Sequence, residues 1–280
     1  MPRKITFLRW HGASGEIRGS QMGAYLGATV VIGNQGPDRG IPNVRGHEND
    51  LCIFVKGQPP DDFPEHSYLD MMDAKDRFPW LDRHPEIGLV SISETAHKCM
   101  EHRLSRHDIH FIPEATCNWE REQRNRDGIR RAGVMGNNNA FWGYSKDIEK
   151  KFASMGIEFH YEQRYQSRRD VIEFYRSIDI QCVWRPHLRG HDSALRNPLK
   201  IGNAGSFGIP TVAYPEPAYV TEGEGCFIPA ETMEDMFREV GRLQSDPIYY
   251  RDMAQLALAR SEKYHIDVVS KLYRQLPGAN

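Results

Sequence analysis

An α/β fold with parallel strands is predicted from three features of this chain. Short apolar runs that read as strands recur along it, segments of helical periodicity or turn composition separate them, and no repeat or low-complexity tract interrupts the series. In the first half the strand-like runs are residues 5–10, 28–32, 51–55, 67–71, 87–90 and 109–112. Residues 93–102 read as a helix between the last two. Residues 33–50, rich in Gly, Asn, Pro and Asp, read as a long loop.

A polar, Arg-rich stretch, 118–131, leads to a fresh strand at 132–135, so the domain boundary is placed at 120–130, giving domains 1–125 and 126–280. Beyond it the signals are local and ordered. Ser145 can cap a helix carrying Ile148, Phe152 and Met155, and a short strand follows at 157–160. Ser167 and Asp170 have capping-box spacing, with Val171, Phe174, Tyr175 and Ile178 at helical intervals after them. Strands are expected at 179–184, 211–214 and 225–228. Thr232 opens a helix carrying Met236, Val240 and Leu243 on one face, and Asp246 with Pro247 starts another. A last helix runs through Val268, Val269 and Leu272.

Composition excludes several function classes. At 280 residues the chain can form one large or two small domains. Charged residues make up 26% and the formal net charge is −2, which announces neither a nucleic acid nor a membrane as partner. The five cysteines, Cys52, Cys99, Cys117, Cys182 and Cys226, contain no C-x-x-C pair and suit a reducing compartment. No signal region opens the chain and no apolar stretch approaches the ~20 residues of a membrane span. The expectation is a cytoplasmic protein. H-E-x-x-H, P-loop and G-x-S-x-G motifs are absent. His187, His191 and Asp192 are the nearest approach to a metal set, without a fourth partner; no metal is expected.

The most informative segment is 196–214. Asn197 suits an N-cap and Pro198 the first helical position, with Lys200 within one turn. A helix N-terminus with a lysine beside it favours a diphosphate-like anion. Gly208 and Pro210 end that helix and 211–214 begins a strand. This segment resembles the donor-binding motif of GT-B glycosyltransferases, K-x-x-E-A-x-A-x-G-x-P-V-V-A, at Lys200, Ala204, Gly208, Pro210, Val212 and Ala213. It departs at Asn203, where the family has a glutamate that holds the donor ribose, and at Leu195, where the partner glutamate would fall. Residues 111–118 resemble the end of the family's first domain. Gly136-Asn-Asn-Asn139 stands where the family has a glycine-rich loop after the first strand of its second domain.

The resemblance implies two Rossmann-like domains facing across a cleft, with a nucleotide-diphosphate sugar, a UDP-sugar first, as donor substrate. Its donor-binding candidates are Gly15, Arg18, Gly136, Asn137, Arg189, Arg196, Asn197, Lys200 and Asn203. Arg185 is a candidate for stabilising the leaving diphosphate, and His11 or Glu16, in the Gly-rich loop after the first strand, for the general base of an inverting reaction. With Asn203 in place of the family's glutamate, Glu216, Glu222 and Glu224 are alternatives for holding the ribose. The acceptor is open between a small molecule, a glycan and a hydroxymethylated DNA base. The last follows from the compact size and from Trp119 beside arginines 121–131, a stretch whose interspersed acids favour a solvated linker instead. The same fold serves nucleotide-sugar epimerases and hydrolases, and the missing glutamates leave a non-catalytic nucleotide-sugar-binding subunit as a further alternative.

Overall fold

The computed structural model describes residues 3–33, 42–72, 75–124, 128–137, 139–164, 167–187 and 194–279. The chain separates into two compact units: Met1–Ala115 with His191–Asn197 and Ile266–Asn280, and Thr116–Gly190 with Pro198–His265. This division interleaves, whereas the cut expected near residue 125 is a single one.

In the first unit, β1 (Ile5–Arg9), β2 (Thr29–Ile32), β3 (Leu51–Val55), β4 (Ser67–Asp70), β5 (Gly88–Ser91) and β6 (Ile109–Phe111) form one sheet in the order β2-β1-β3-β4-β5-β6. Every pairing is parallel. A parallel strand covered on both faces has no polar side, which is why β3 reads as an unbroken apolar run and is buried along its whole length. Helices α1 (Met22–Leu26), α2 (Phe78–Leu81) and α3 (Glu94–Arg103) belong to this unit. The Ser93 hydroxyl caps α3, accepting from the Ala96 N–H at 3.0 Å. The C-terminal helix Ile266–Arg274 joins the unit by setting Tyr273 edge-on against Phe7 of β1, ring centroids 5.3 Å apart.

The expected Gly-rich loop after β1 is a helical entry instead. Residues Gly15–Gln21 form a π-helical turn that runs into α1. Glycine allows the turn to lie against the end of β1: a Cβ on Gly15 would overlap the Trp10 carbonyl oxygen, and one on Gly19 would stand 2.9 Å from Arg9 Cβ. Those glycines read as loop formers in the sequence; their work is close packing.

In the second unit, β7 (Arg131–Met135), β8 (Glu158–Glu162), β9 (Ile180–Val183), β10 (Thr211–Ala213) and β11 (Ile228–Pro229) form a parallel sheet in the order β11-β10-β9-β7-β8. Chain order reverses between β7 and β9, so the crevice outside their carboxyl ends is a topological switch point, where open α/β sheets bind ligands. The helices are α4 (Lys146–Ser154), α5 (Arg168–Ser177), α6 (Leu199–Ser206), α7 (Pro217–Glu222), α8 (Met233–Ser245) and α9 (Pro247–Ser261). The Ser167/Asp170 capping box of α5 forms as spaced in the sequence, and Thr232 with Asp235 makes another on α8. Asp246 caps α9 through the N–H groups of Ile248 and Tyr249. Helix α7 lies where the sequence suggests only an acidic loop; Pro217 occupies its first turn.

One buried carboxylate organises the entry to this sheet. Asp179, just before β9, accepts from the backbone N–H groups of Arg130 and Arg131 at 2.9 and 2.8 Å and from the Arg124 guanidinium at 2.7 Å. It therefore fixes the start of β7 beside β9. Two more arginines of this stretch are matched by acids, Arg121 with Glu262 and Arg131 with Glu158, while Glu120 and Glu122 take Arg168 and Arg176.

Breaking a buried pair strands a charge away from water. Asp179→Ala is expected to lower stability by about 3–5 kcal/mol, read as a drop in the urea midpoint. Arg169→Ala removes an exposed pair with Glu173 one helical turn away. It should change stability by no more than about 0.5 kcal/mol.

Candidate functional site

Helix α6 is buried from Ile201 to Ser206, and small residues make that possible. A Cβ on Gly205 would sit 2.7 Å from the Ala257 carbonyl of α9, so only glycine lets the two helices approach this closely. The helix begins one residue later than the sequence suggests. Pro198, not Asn197, occupies the N-cap position, and no side chain caps it. The Asn197 amide instead donates to the buried Glu114 carboxylate within the first unit. The carboxylate is a charged acceptor, which makes this a strong hydrogen bond and holds the Asn197 side chain on Glu114.

The position of α6 brings Lys200 to the switch point. Gln181, in the buried interior of β9, donates through its amide to the Lys200 carbonyl at 2.8 Å and to Thr211 Oγ1 at 3.0 Å. Its own oxygen accepts from Tyr175 at 2.9 Å. The Lys200 ammonium reaches the last carbonyl of β7, Met135, at 2.5 Å. Gly136 follows at φ +149°, and a Cβ there would lie 2.8 Å from both Lys200 Nζ and Ala140 Cβ. Lys200 and Gly136 thus meet at the carboxyl end of β7. Asn137, next in the loop, is exposed; its carbonyl accepts from Tyr161 at 2.5 Å and its side chain from the Asn139 N–H at 3.1 Å.

Arg185 stands across the same crevice, two residues beyond β9. Its guanidinium is gripped by Glu216, with Nε and Nη2 donating at 2.5 and 2.6 Å, and Nη2 also reaches the Tyr219 hydroxyl at 3.0 Å. Nη1 makes no hydrogen bond among the described residues. Burial works against the charge, but Tyr219 and Glu216 outweigh it and hold the pKa above the usual arginine value. The arrangement is a fixed cation with one donor edge still to be used.

Asn203 is turned inward. Its side-chain oxygen accepts from the Cys117 N–H at 2.8 Å, and the residue is buried. Glu222 is buried as well and accepts from the Tyr264 hydroxyl at 2.5 Å.

The remaining candidates lie in the first unit. Arg18 is buried, with Nε on Asp70 and Nη2 donating to the Ile112 carbonyl at 3.0 Å. Burial lowers its pKa less than Asp70, Tyr273 and Glu114 raise it. It ties the π-helical turn to the ends of β4 and β6. Gly15 is buried against Trp10. Glu16 pairs with Arg9 at 3.0 Å. His11 is exposed, and its Nε2 bonds with the Gly33 carbonyl at 3.0 Å. Arg196 is half-buried beside Asn197. Arg189, like His191 and Asp192, lies outside the described residues.

Gln181 and Trp142 have no part in the sequence reading of the site. A polar residue inside the strand Ile180–Val183 is the signal that could have flagged Gln181.

Comparisons with known proteins agree on the architecture. No protein-family model matches the chain, and no curated protein matches it by sequence. Solved structures do match. HepE of Anabaena, crystallised with UDP, is 11% identical at TM-score 0.62, covering 97% of this chain and 98% of its own. T4 phage BGT, with its UDP-glucose substrate, is 9% identical at TM-score 0.57 over 97% and 98%. In the GtfA/B complex the match has TM-score 0.56 at 9% identity, covers 81% of this chain and spans only 56% of the matched one. Among the described residues no helix is long and apolar enough to cross a membrane.

The glycine at the crevice gives a direct test. Gly12 and Gly136 both have positive φ, +119° and +149°, but nothing lies within 4 Å of a Cβ on Gly12. Gly12→Ala should cost about 1 kcal/mol from backbone strain alone. Gly136→Ala should cost more, because Ala140 must also move; thermal melts of the two variants compare them. With two parallel sheets and solved structures that match almost end to end, the chain has the GT-B fold of glycosyltransferases.

Proposed function

We propose that this chain is a glycosyltransferase that takes its sugar from a nucleotide-diphosphate donor, a UDP-sugar first. The observation that carries the reading is the pair of cations at the switch point of the second unit: Lys200 on the Met135 carbonyl beside Gly136, and Arg185 fixed by Glu216. The solved relatives HepE and T4 phage BGT carry UDP or UDP-glucose. As the glycosidic bond of the donor breaks, negative charge gathers on the diphosphate. Lys200, the Nη1 edge of Arg185 and the N–H groups at the start of α6 would stabilise it, because they are already oriented and need no rearrangement.

On the first unit, His11 would take the acceptor proton if the sugar is inverted. It is preferred to Glu16, whose carboxylate Arg9 already engages. Retention needs no side-chain base in the mechanism usually considered for this fold. Arg18 acts as a positioning residue, since its guanidinium is committed to Asp70 and Ile112. Arg121, Arg124 and Arg131 near Trp119 are each paired with an acid, so these three lend no unopposed positive charge to a DNA acceptor. One observation favours a binding role without turnover. Asn203, at the ribose-glutamate position of the family, is spent on the Cys117 backbone.

UDP at a hundredfold excess over its Kd should stabilise the protein by about 2.7 kcal/mol, seen as a raised melting temperature. Lys200→Met keeps the apolar stem and removes the charge. It should weaken UDP about ten- to a hundredfold, the value of one charge-assisted hydrogen bond. UDP release from a UDP-sugar, followed over alcohols, glycans and hydroxymethylated DNA, then separates transfer from binding. Absence of any shift with nucleotides would refute the donor site.

A further inference from the structure

The loop after β7 carries an aromatic side chain that the core does not use. Trp142 is 50% exposed, although its backbone is tightly held: its N–H donates to the Trp184 carbonyl at 2.7 Å, and Phe141 bridges to Trp184 in parallel register. The loops leaving β7 and β9 are thereby stitched together above the switch point. The indole lies against the ring of His187, which follows β9 and is also exposed; the centroids are 4.3 Å apart and the planes tilted by 34°. Two planar rings with solvent-facing surface therefore stand at the rim where a parallel sheet receives its ligand.

Their distance from the cations is bounded by the structure. Lys200 Nζ and Ala140 Cβ each lie 2.8 Å from the point a Gly136 Cβ would occupy, so they are at most twice that apart. Trp142 is two residues further on, at about 3.8 Å per step along the chain. These steps bring the Trp142 backbone within roughly 15 Å of the ammonium, on the order of a nucleotide's length. A diphosphate on Lys200 and a planar base on Trp142 would be parts of one ligand.

We infer that Trp142, braced by His187, is the stacking surface for the base of the nucleotide donor. The inference rests on the donor reading above and adds to it how the base is read. A ring face has no hydrogen-bond code, so stacking supplies affinity for any base and leaves selection to the polar groups around it. A sugar ring or an unrelated apolar partner on Trp142 would not couple to the nucleotide.

Calorimetric titration with UDP, uridine and inorganic pyrophosphate tests this on the full chain. Trp142→Ala should weaken UDP and uridine about ten- to a hundredfold, the usual loss for one base–aromatic stack. Its pyrophosphate affinity should stay within about twofold of the parent. Trp142→Phe, which keeps a π face, should recover most of the UDP affinity and also guards against a folding defect in the alanine variant. Lys200→Met should give the opposite pattern, losing pyrophosphate as well as UDP. UDP binding unchanged in Trp142→Ala, or an equal loss of UDP and pyrophosphate, overturns the stacking role while leaving the donor site standing. A parent protein that binds neither UDP nor pyrophosphate removes the donor site and the inference with it.

Discussion

A buried helix can come close to its neighbours only where it has no side chains to separate them, and this constraint on α6 governs the second unit. A Cβ on Gly205 would come within 2.7 Å of the Ala257 carbonyl oxygen, whereas one on Gly202 would reach Thr116 and Tyr264 only at van der Waals distance, 3.4 Å. Held at that depth, the helix presents its first turn to the ends of β7 and β9. The Gln181 amide then fixes the Lys200 carbonyl, and the lysine ammonium reaches the Met135 carbonyl. A larger residue at Gly205 would shift the helix outward and carry the ammonium away from the crevice.

The two arginines that attract notice in the sequence differ in their access to solvent: the Arg18 side chain is 1% exposed and that of Arg185 is 11%. Arg18 is enclosed by Asp70, the Ile112 carbonyl and Tyr273, so its charge serves the junction of strand ends and helices. Arg185 is held by one carboxylate and one hydroxyl, and an edge remains. The same residue type builds a scaffold in one place and presents a charge in the other. Glu216, weighed from the sequence as a ribose contact, is the brace that makes the second role possible.

Periodicity reveals the strands, the caps on α5, α8 and α9, and the parallel architecture, because these are local properties of the chain. Lys200 and Gly136 are legible through motif spacing. The start of α6 is not, since Asn197 prefers the distant carboxylate of Glu114 over the helix end next to it. The turn at Gly15–Gln21 is hidden because glycines that permit close packing look the same in sequence as glycines that permit a loop. Gln181 is flagged locally only as a polar residue inside an apolar strand, and its partners, like those of Trp142, lie far along the chain.

The interleaving of the two units bears on synthesis at the ribosome. The sheet of the first unit is translated within the first 111 residues, yet the helix that covers Phe7 with Tyr273 follows the whole second unit. Until then β1 and the turn holding Arg18 stay without that cover, while the second unit is made and can fold. The nascent first unit is therefore an open, apolar intermediate for most of translation, a state in which exposed sheet surface invites association. Its completion waits on the helix Ile266–Arg274, which makes that segment a checkpoint for folding as well as a piece of the core.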